Sequence, residues 1–154
     1  MITVSDGVHH GTRTDDSGDA LLRVLSESGA VSVSRSVVPD EVDQIITALR
    51  SAAESAELVV TTGGTGFGPR DVTPEATASV LEREAPGLVH LMLAAGIAST
   101  PMASLSRPVA GTLGRSLVVN LPGSPRGATE NLTALMPVIP HALQLLGGDT
   151  EHAG

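Results

Sequence analysis

The sequence predicts an α/β sandwich built on a mainly parallel sheet, and three observations lead there. Apolar strand-like runs alternate with segments of helical period along the chain. A glycine-dense loop joins one buried run to a helix start within residues 58–75. Polar and turn residues gather after the ends of successive strands, where open α/β sheets form their ligand crevices. Taken in order, Met1 to Ser5 reads as a short strand ending at Ser5-Asp6-Gly7. A polar loop, His9 to Asp16, follows, and Ser17 is the expected cap of a helix carrying Leu21, Leu22 and Leu25. Val31 to Val38 alternates apolar residues with Ser and Arg, the pattern of a strand near an edge. Asp40 stands where it would cap a helix whose Val42, Ile45, Ile46 and Leu49 recur at i, i+3, i+4 and i+7.

Leu58, Val59 and Val60 read as a fully buried strand running into the glycine loop. Thr73 as cap, Pro74 at the first helical position and Glu75 in the first turn then predict a helix to about Glu84. Pro86 opens a further helix through Leu91 and Met92 that ends near Gly96. Residues 102–110 and 115–121 read as two strands joined by a turn containing Gly111 and Gly114, which supplies an antiparallel hairpin. The last helix starts at Ser124-Pro125 and is expected to bend near Pro137 and Pro140. One domain over residues 1–147 and a flexible tail over 148–154 complete the expectation. At 154 residues and 41% hydrophobic composition, one domain with a sizeable core is the natural size.

Composition excludes several chemistries. All nine basic residues are arginines, so a lysine-dependent P-loop, a Schiff base and most pyridoxal-phosphate chemistry are ruled out. With no cysteine there is no disulfide, thiolate nucleophile or zinc–cysteine site. A formal charge of −8, with Phe67 the single aromatic residue, leaves neither the charge nor the stacking platforms that nucleic acid needs. The five histidines are scattered without metal-ligand spacing. No signal-like segment or run of membrane-spanning length is present, so a soluble cytoplasmic protein is expected.

The glycine loop is the most informative segment. A tight strand-to-helix turn accounts for two glycines. It does not account for Gly63, Gly64, Gly66 and Gly68 with Thr61, Thr62, Thr65 and an Arg70-Asp71 pair. Backbone N–H groups crowding one point at a helix start suit an anion, and an acid at the loop's end can hold a metal against it. Acids or polar turns also follow the other strand ends, at Asp6, at Asp40-Glu41 and at Asn120 to Pro125. Together they suggest a metal-dependent phosphoryl or nucleotidyl reaction.

These motifs resemble a known family. Thr61 to Gly66 followed by Pro69 to Thr77, with Val38-Pro39-Asp40-Glu41 upstream and Ser106 to Gly111 and Asn120 to Pro125 downstream, is similar to the MogA/MoaB family of molybdenum cofactor biosynthesis, and closest to the G domains of gephyrin and its plant counterpart. The resemblance covers nearly the whole chain. It implies a three-layer α/β/α domain, a homotrimer, and transfer of AMP from ATP to the phosphate of molybdopterin with Mg²⁺ required and pyrophosphate released. The product would pass to a molybdate-inserting, MoeA-like protein. By motif, Asp40 and Asp71 would be catalytic and would hold the Mg²⁺. Thr62, Gly63, Gly64, Thr65, Gly66 and Arg70 would bind nucleotide phosphates. Ser5, Asp6, Ser106, Arg107, Pro122, Gly123, Ser124 and Pro125 would contact the pterin. A non-catalytic molybdopterin-binding or oligomerising member is the alternative, and fold-related domains that hydrolyse nucleotide-linked pyrophosphates are a more remote one. Residue by residue, duller readings stand beside these: Asp40 as a plain helix cap, Arg107 as a solvated strand arginine.

Overall fold

The computed structural model describes residues 1–148; the tail expected at 148–154 therefore lies, but for Gly148, outside the described residues. Six strands form one sheet in the order β2-β1-β3-β6-β5-β4. They are β1 (Ile2–Val4), β2 (Ser36–Val38), β3 (Leu58–Thr62), β4 (Arg83–Glu84), β5 (Ala110–Leu113) and β6 (Ser116–Leu121). β2, β1, β3 and β6 run parallel, and β5 and β4 add antiparallel pairs at the other edge. The helices are α1 (Asp6–His9), α2 (Asp16–Glu27), α3 (Val42–Ala53), α4 (Thr73–Val80), α5 (Pro86–Ser99), α6 (Pro125–Leu135) and α7 (Ile139–Gly147).

Strand alternation sends successive side chains to opposite faces, and each face carries its own core. In the central β3–β6 pair, Val59 lies opposite Val118 and Val60 opposite Val119. Val59 and Val118, with Ile2 and Val4, pack on Ile45 and Leu49 of α3 and on Ala76 and Val80 of α4. Val60, Val119 and Leu121 face the other way, onto Leu21 of α2, Met92 of α5, and Leu132 and Leu135 of α6. Three layers result, as the family resemblance implies. The paired middles of the two central strands, Leu58 to Val60 and Leu117 to Val119, are apolar because helices cover both of their faces, and buried polar residues enter at Ser116 and toward the carboxyl ends, at Thr61, Thr62 and Asn120.

Several boundaries differ from expectation, each for a tertiary reason. Asp15, not Ser17, caps α2, its carboxylate accepting the Gly18 amide at 3.0 Å. The strand expected over Val31 to Val38 is paired only over Ser36–Val38, because Arg35 turns its guanidinium to Asp15 and Asp19. The helix after the glycine loop stops at Val80 rather than Glu84. There the chain crosses to β5, where the Glu82 amide reaches the Thr112 carbonyl and the Ala85 amide that of Ala110. α5 continues past Gly96 to Ser99. In place of the strand expected at 102–110, Pro101–Leu105 is a 3₁₀ turn capped by Thr100, and β5 begins only at Ala110. Gly111 lies in that strand, so the hairpin turn keeps only Gly114. Pro137, which has no N–H to continue the ladder, breaks the last helix into α6 and α7 instead of bending it. Pro140 sits in the first turn of α7, where a missing N–H carries little penalty.

Candidate active site

β3 ends at Thr62, and its continuation is bent by two left-handed glycines, Gly63 at φ +100 and Gly64 at φ +66. A Cβ on Gly63 would drive into the Val4 carbonyl, and one on Gly64 into the Thr73 hydroxyl. The loop is fastened on both flanks. The Gly63 amide donates to the Leu121 carbonyl at 3.1 Å, and the Thr73 hydroxyl donates to the Gly63 carbonyl at 2.9 Å. Thr73 is therefore a clasp for the loop, not the cap of α4, whose cap position is Val72 with no side-chain bond. The hydroxyl of Thr62, expected to meet nucleotide phosphates, donates to the Pro122 carbonyl at 2.8 Å and joins the loop to the β6–α6 turn.

Asp71 folds back over this loop. Its Oδ2 accepts the Gly68 amide at 2.8 Å, and its own amide donates to the Gly68 carbonyl at 3.0 Å. A Cβ at Gly66 would stand 2.9 Å from Oδ2, and one at Gly68 would stand 2.8 Å away. Glycine at both positions lets the carboxylate settle onto the loop.

Asp40 belongs to a second arrangement. Its Oδ2 accepts the Asp6 amide at 2.8 Å, while its amide donates to Asp6 Oδ1 at 3.0 Å. It does not cap α3: Glu41 holds that position and makes no side-chain cap bond. Burial raises the Asp40 carboxyl above the ordinary aspartate range, and repulsion from Asp6 and Asp71 adds to the rise. Asp6 is shifted the other way by the hydrogen bond from Arg70. Arg70 grips Asp6 through Nε at 3.0 Å and Nη2 at 3.1 Å, and also reaches Glu41 at 2.8 Å. The guanidinium expected on nucleotide phosphates thus ties α1 to the start of α3, and Asp6 is held from two sides.

Two cavities meet at the loop. One, of about 450 Å³, has Met92, Met102 and Leu105 among its walls and reaches Ser106. The other, of about 510 Å³, takes in Ser5, Asp15, Asp40, Thr62 and Gly63. Gly64, Asp71, Gly123 and Ser124 line both. Ser5 and Ser124 each cap a helix, accepting the Val8 amide at 3.2 Å and the Gly127 amide at 3.2 Å. Pro125 begins α6, and Pro122 shapes the turn before it. Ser106 stands 3.3 Å from the Thr65 hydroxyl. The guanidinium of Arg107 is engaged with the glycine loop and with Glu75. All the sequence-derived site residues thus fall in one neighbourhood, although several hydroxyls and both arginines are occupied by protein partners. Asp15 was missed as a cleft residue because its loop matched no motif; the acid three residues before Gly18 was the available capping signal.

A family model described as a probable molybdopterin binding domain matches residues 1–141. The chain belongs to that family. Molybdopterin adenylyltransferase of Helicobacter pylori is 39% identical over 153 residues, which cover 97% of this chain and 87% of that protein. Molybdenum cofactor synthesis protein cinnamon of Drosophila melanogaster is 41% identical over 154 residues, 98% of this chain. That relative is far longer, and the chain spans 26% of its length. Among solved structures, the molybdopterin biosynthesis enzyme MoaB from Thermus thermophilus superimposes with a TM-score of 0.89 at 49% identity, covering 96% of this chain and 94% of that one.

Proposed function

We propose that this chain is a molybdopterin adenylyltransferase, which transfers AMP from ATP to the molybdopterin phosphate and releases pyrophosphate. The observation that carries the reading is the position of Asp71 at the shared edge of two cavities, with Gly64, Gly123 and Ser124 beside it. A reaction between two bulky phosphate-bearing substrates needs two compartments that open onto one reacting point. The matched family and the adenylyltransferase name of the Helicobacter pylori relative support the same reading.

In this reaction an oxygen of the pterin phosphate forms a bond to the α-phosphorus, and the bond from that phosphorus to the bridging oxygen breaks. The electron pair leaves with pyrophosphate. The attacking oxygen is already ionised, so no general base is required. The barrier is the repulsion of two anions, and alignment with electrostatic stabilisation has to lower it. The loop amides and the amino-terminal end of α6 supply fixed positive dipole ends to the phosphates.

Among the described residues, no group of three or more His, Asp or Glu side chains is arranged to hold a metal by itself. That suits Mg²⁺, which is commonly held by one or two carboxylates together with substrate phosphates. Asp40 fits the role, because burial and neighbouring anions leave its charge poorly stabilised until a cation arrives. Asp40 and Asp71 would hold the ion, which would screen the charge on the phosphates.

Labelled ATP with molybdopterin and Mg²⁺ should give an AMP–pterin adduct, and excess chelator should abolish it. Asp71→Asn should lower the transfer by at least about a hundredfold, the scale of losing one key electrostatic contact, with the fold retained. Tight molybdopterin binding without any adduct would overturn the enzyme in favour of a binding module. A homotrimer fits the exposed Ile97, Met102 and Leu105; a cytoplasmic location and hand-over of the product to a molybdate-inserting protein are what the family resemblance implies. No helix among the described residues is long and apolar enough to cross a membrane. Light scattering at micromolar concentration should return three times the chain mass, and a monomer mass would refute the assembly.

A further inference from the structure

We propose that Arg107 is a positioning residue that holds Asp71 in place, and that it does not itself touch substrate. The proposal rests on the adenylyltransferase reading for the role of Asp71, but its structural part stands apart from it. Arg107 lies in the extended segment between the 3₁₀ turn and β5, and its amide donates to the Thr65 carbonyl at 2.9 Å. Its side chain then passes beneath the glycine loop. Nε donates to the Gly66 carbonyl at 2.8 Å, and Nη2 donates to the Asp71 carbonyl at 2.9 Å. Nη1 is paired with Glu75 in the first turn of α4, and the cation lies 5.8 Å from the Phe67 ring centroid. One planar group therefore ties the entry of the loop, its exit and the helix that follows.

The other side-chain ties on this stretch run elsewhere: Arg70 reaches Asp6 and Glu41, and Thr73 clasps the Gly63 carbonyl. Residues 67–70 are exposed, so the loop tip lies outside the apolar core. The Asp71 carboxylate has one hydrogen bond of its own, from the Gly68 amide on that same tip. The backbone that carries Asp71 is held from below by Arg107. Arginine is required because three donors must point in fixed directions within one plane, which a lysine ammonium cannot reproduce. The ion pair also shifts Glu75, whose carboxyl lies below the ordinary glutamate range through the Arg107 hydrogen bond. Each guanidinium nitrogen has a protein partner, so the orientation of the group is set by the loop and the helix that it joins.

The test compares Arg107→Met, Arg107→Lys and Glu75→Gln in the full chain, by hydrogen exchange and by steady-state AMP transfer. In Arg107→Met the amides of Gly68 and Asp71 should exchange at least about tenfold faster, while those of β3 and β6 keep their protection. The kcat should fall at least about tenfold with the KM for ATP and for molybdopterin changed less than about twofold, the split expected when a group acts through alignment. Arg107→Lys should recover little, and Glu75→Gln, which weakens one of the three anchors by removing its charge, should give a smaller change in the same direction. A raised KM for molybdopterin with kcat and exchange as in the unmodified chain would overturn the proposal, because Arg107 would then contact substrate. Unaltered loop exchange in Arg107→Met and Glu75→Gln would overturn it too. If Arg107→Met fails to fold, Arg107→Lys and Glu75→Gln decide it on the same criteria. If the unmodified chain transfers no AMP, the adenylyltransferase reading fails, while the exchange comparison still decides whether Arg107 holds the loop.

Discussion

Replacing Asn120 with alanine should destabilise the sheet edge on which the site stands, and the size of the loss can be worked from its bonds. The side chain is fully buried. Its Nδ2 donates to the Thr61 hydroxyl at 3.0 Å and to the Thr77 hydroxyl at 2.9 Å, and its Oδ1 accepts the Val109 amide at 3.1 Å. One amide thus binds β3, α4 and the approach to β5. Truncation orphans the Val109 N–H, which costs about 1–3 kcal/mol if water cannot reach it, and each lost bond to a hydroxyl adds about 0.5–1.5 kcal/mol. The hydroxyls can turn to other partners and the Val109 amide is only partly buried, so about 2–4 kcal/mol is expected. For a chain of this size that lowers Tm by about 5–15 °C. Thermal and urea unfolding followed by circular dichroism measure it directly. A drop below about 2 °C would refute the reasoning, since the three bonds would then be replaceable by water or by relaxation.

Two further outcomes follow from the loop and the acids. Gly63→Ala should cost at least about 1–3 kcal/mol through its left-handed backbone alone, and should abolish AMP transfer because relief of the clash with Val4 must move the loop; unchanged Tm and turnover would contradict this. Asp40→Asn should lower AMP transfer strongly yet leave stability at pH 7 equal or higher. Its carboxyl is raised in the folded state, so the folded chain binds that proton more tightly than the unfolded one, and the ionised group weakens the fold at neutral pH. The penalty fades as pH falls through the raised value toward the ordinary one, so calorimetry should show the Tm gap between variant and unmodified chain closing on acidification. A variant less stable at pH 7 than at pH 4, relative to the unmodified chain, would reverse the argument.

The glycine loop was legible because its constraints are local. Gly63 and Gly64 need left-handed angles, and Gly66 and Gly68 lie against a carboxylate only three to five residues away in the chain. The middles of the two central strands were equally plain, since helices on both faces demand apolar residues there, as Val59-Val60 and Leu117 to Val119 have. Hidden from the sequence were the partners that particular side chains choose. Asp40 reads as a cap until Asp6 is found offering its amide, and Thr73 reads as a cap until its hydroxyl is found on Gly63. Arg83 and Glu84 read as the end of a helix until β5 lies alongside them. In each case a residue with sound local options takes a partner brought close only by the packed sheet. The sequence by itself therefore determined the layers, the loop and the neighbourhood of the site, because backbone angles and apolar periodicity are properties of short segments. Which donor meets which acceptor within that neighbourhood, including the grip of Arg107 on Asp71, was decided by tertiary structure, because hydrogen bonds over distances of about 3 Å depend on chain segments that only folding brings together.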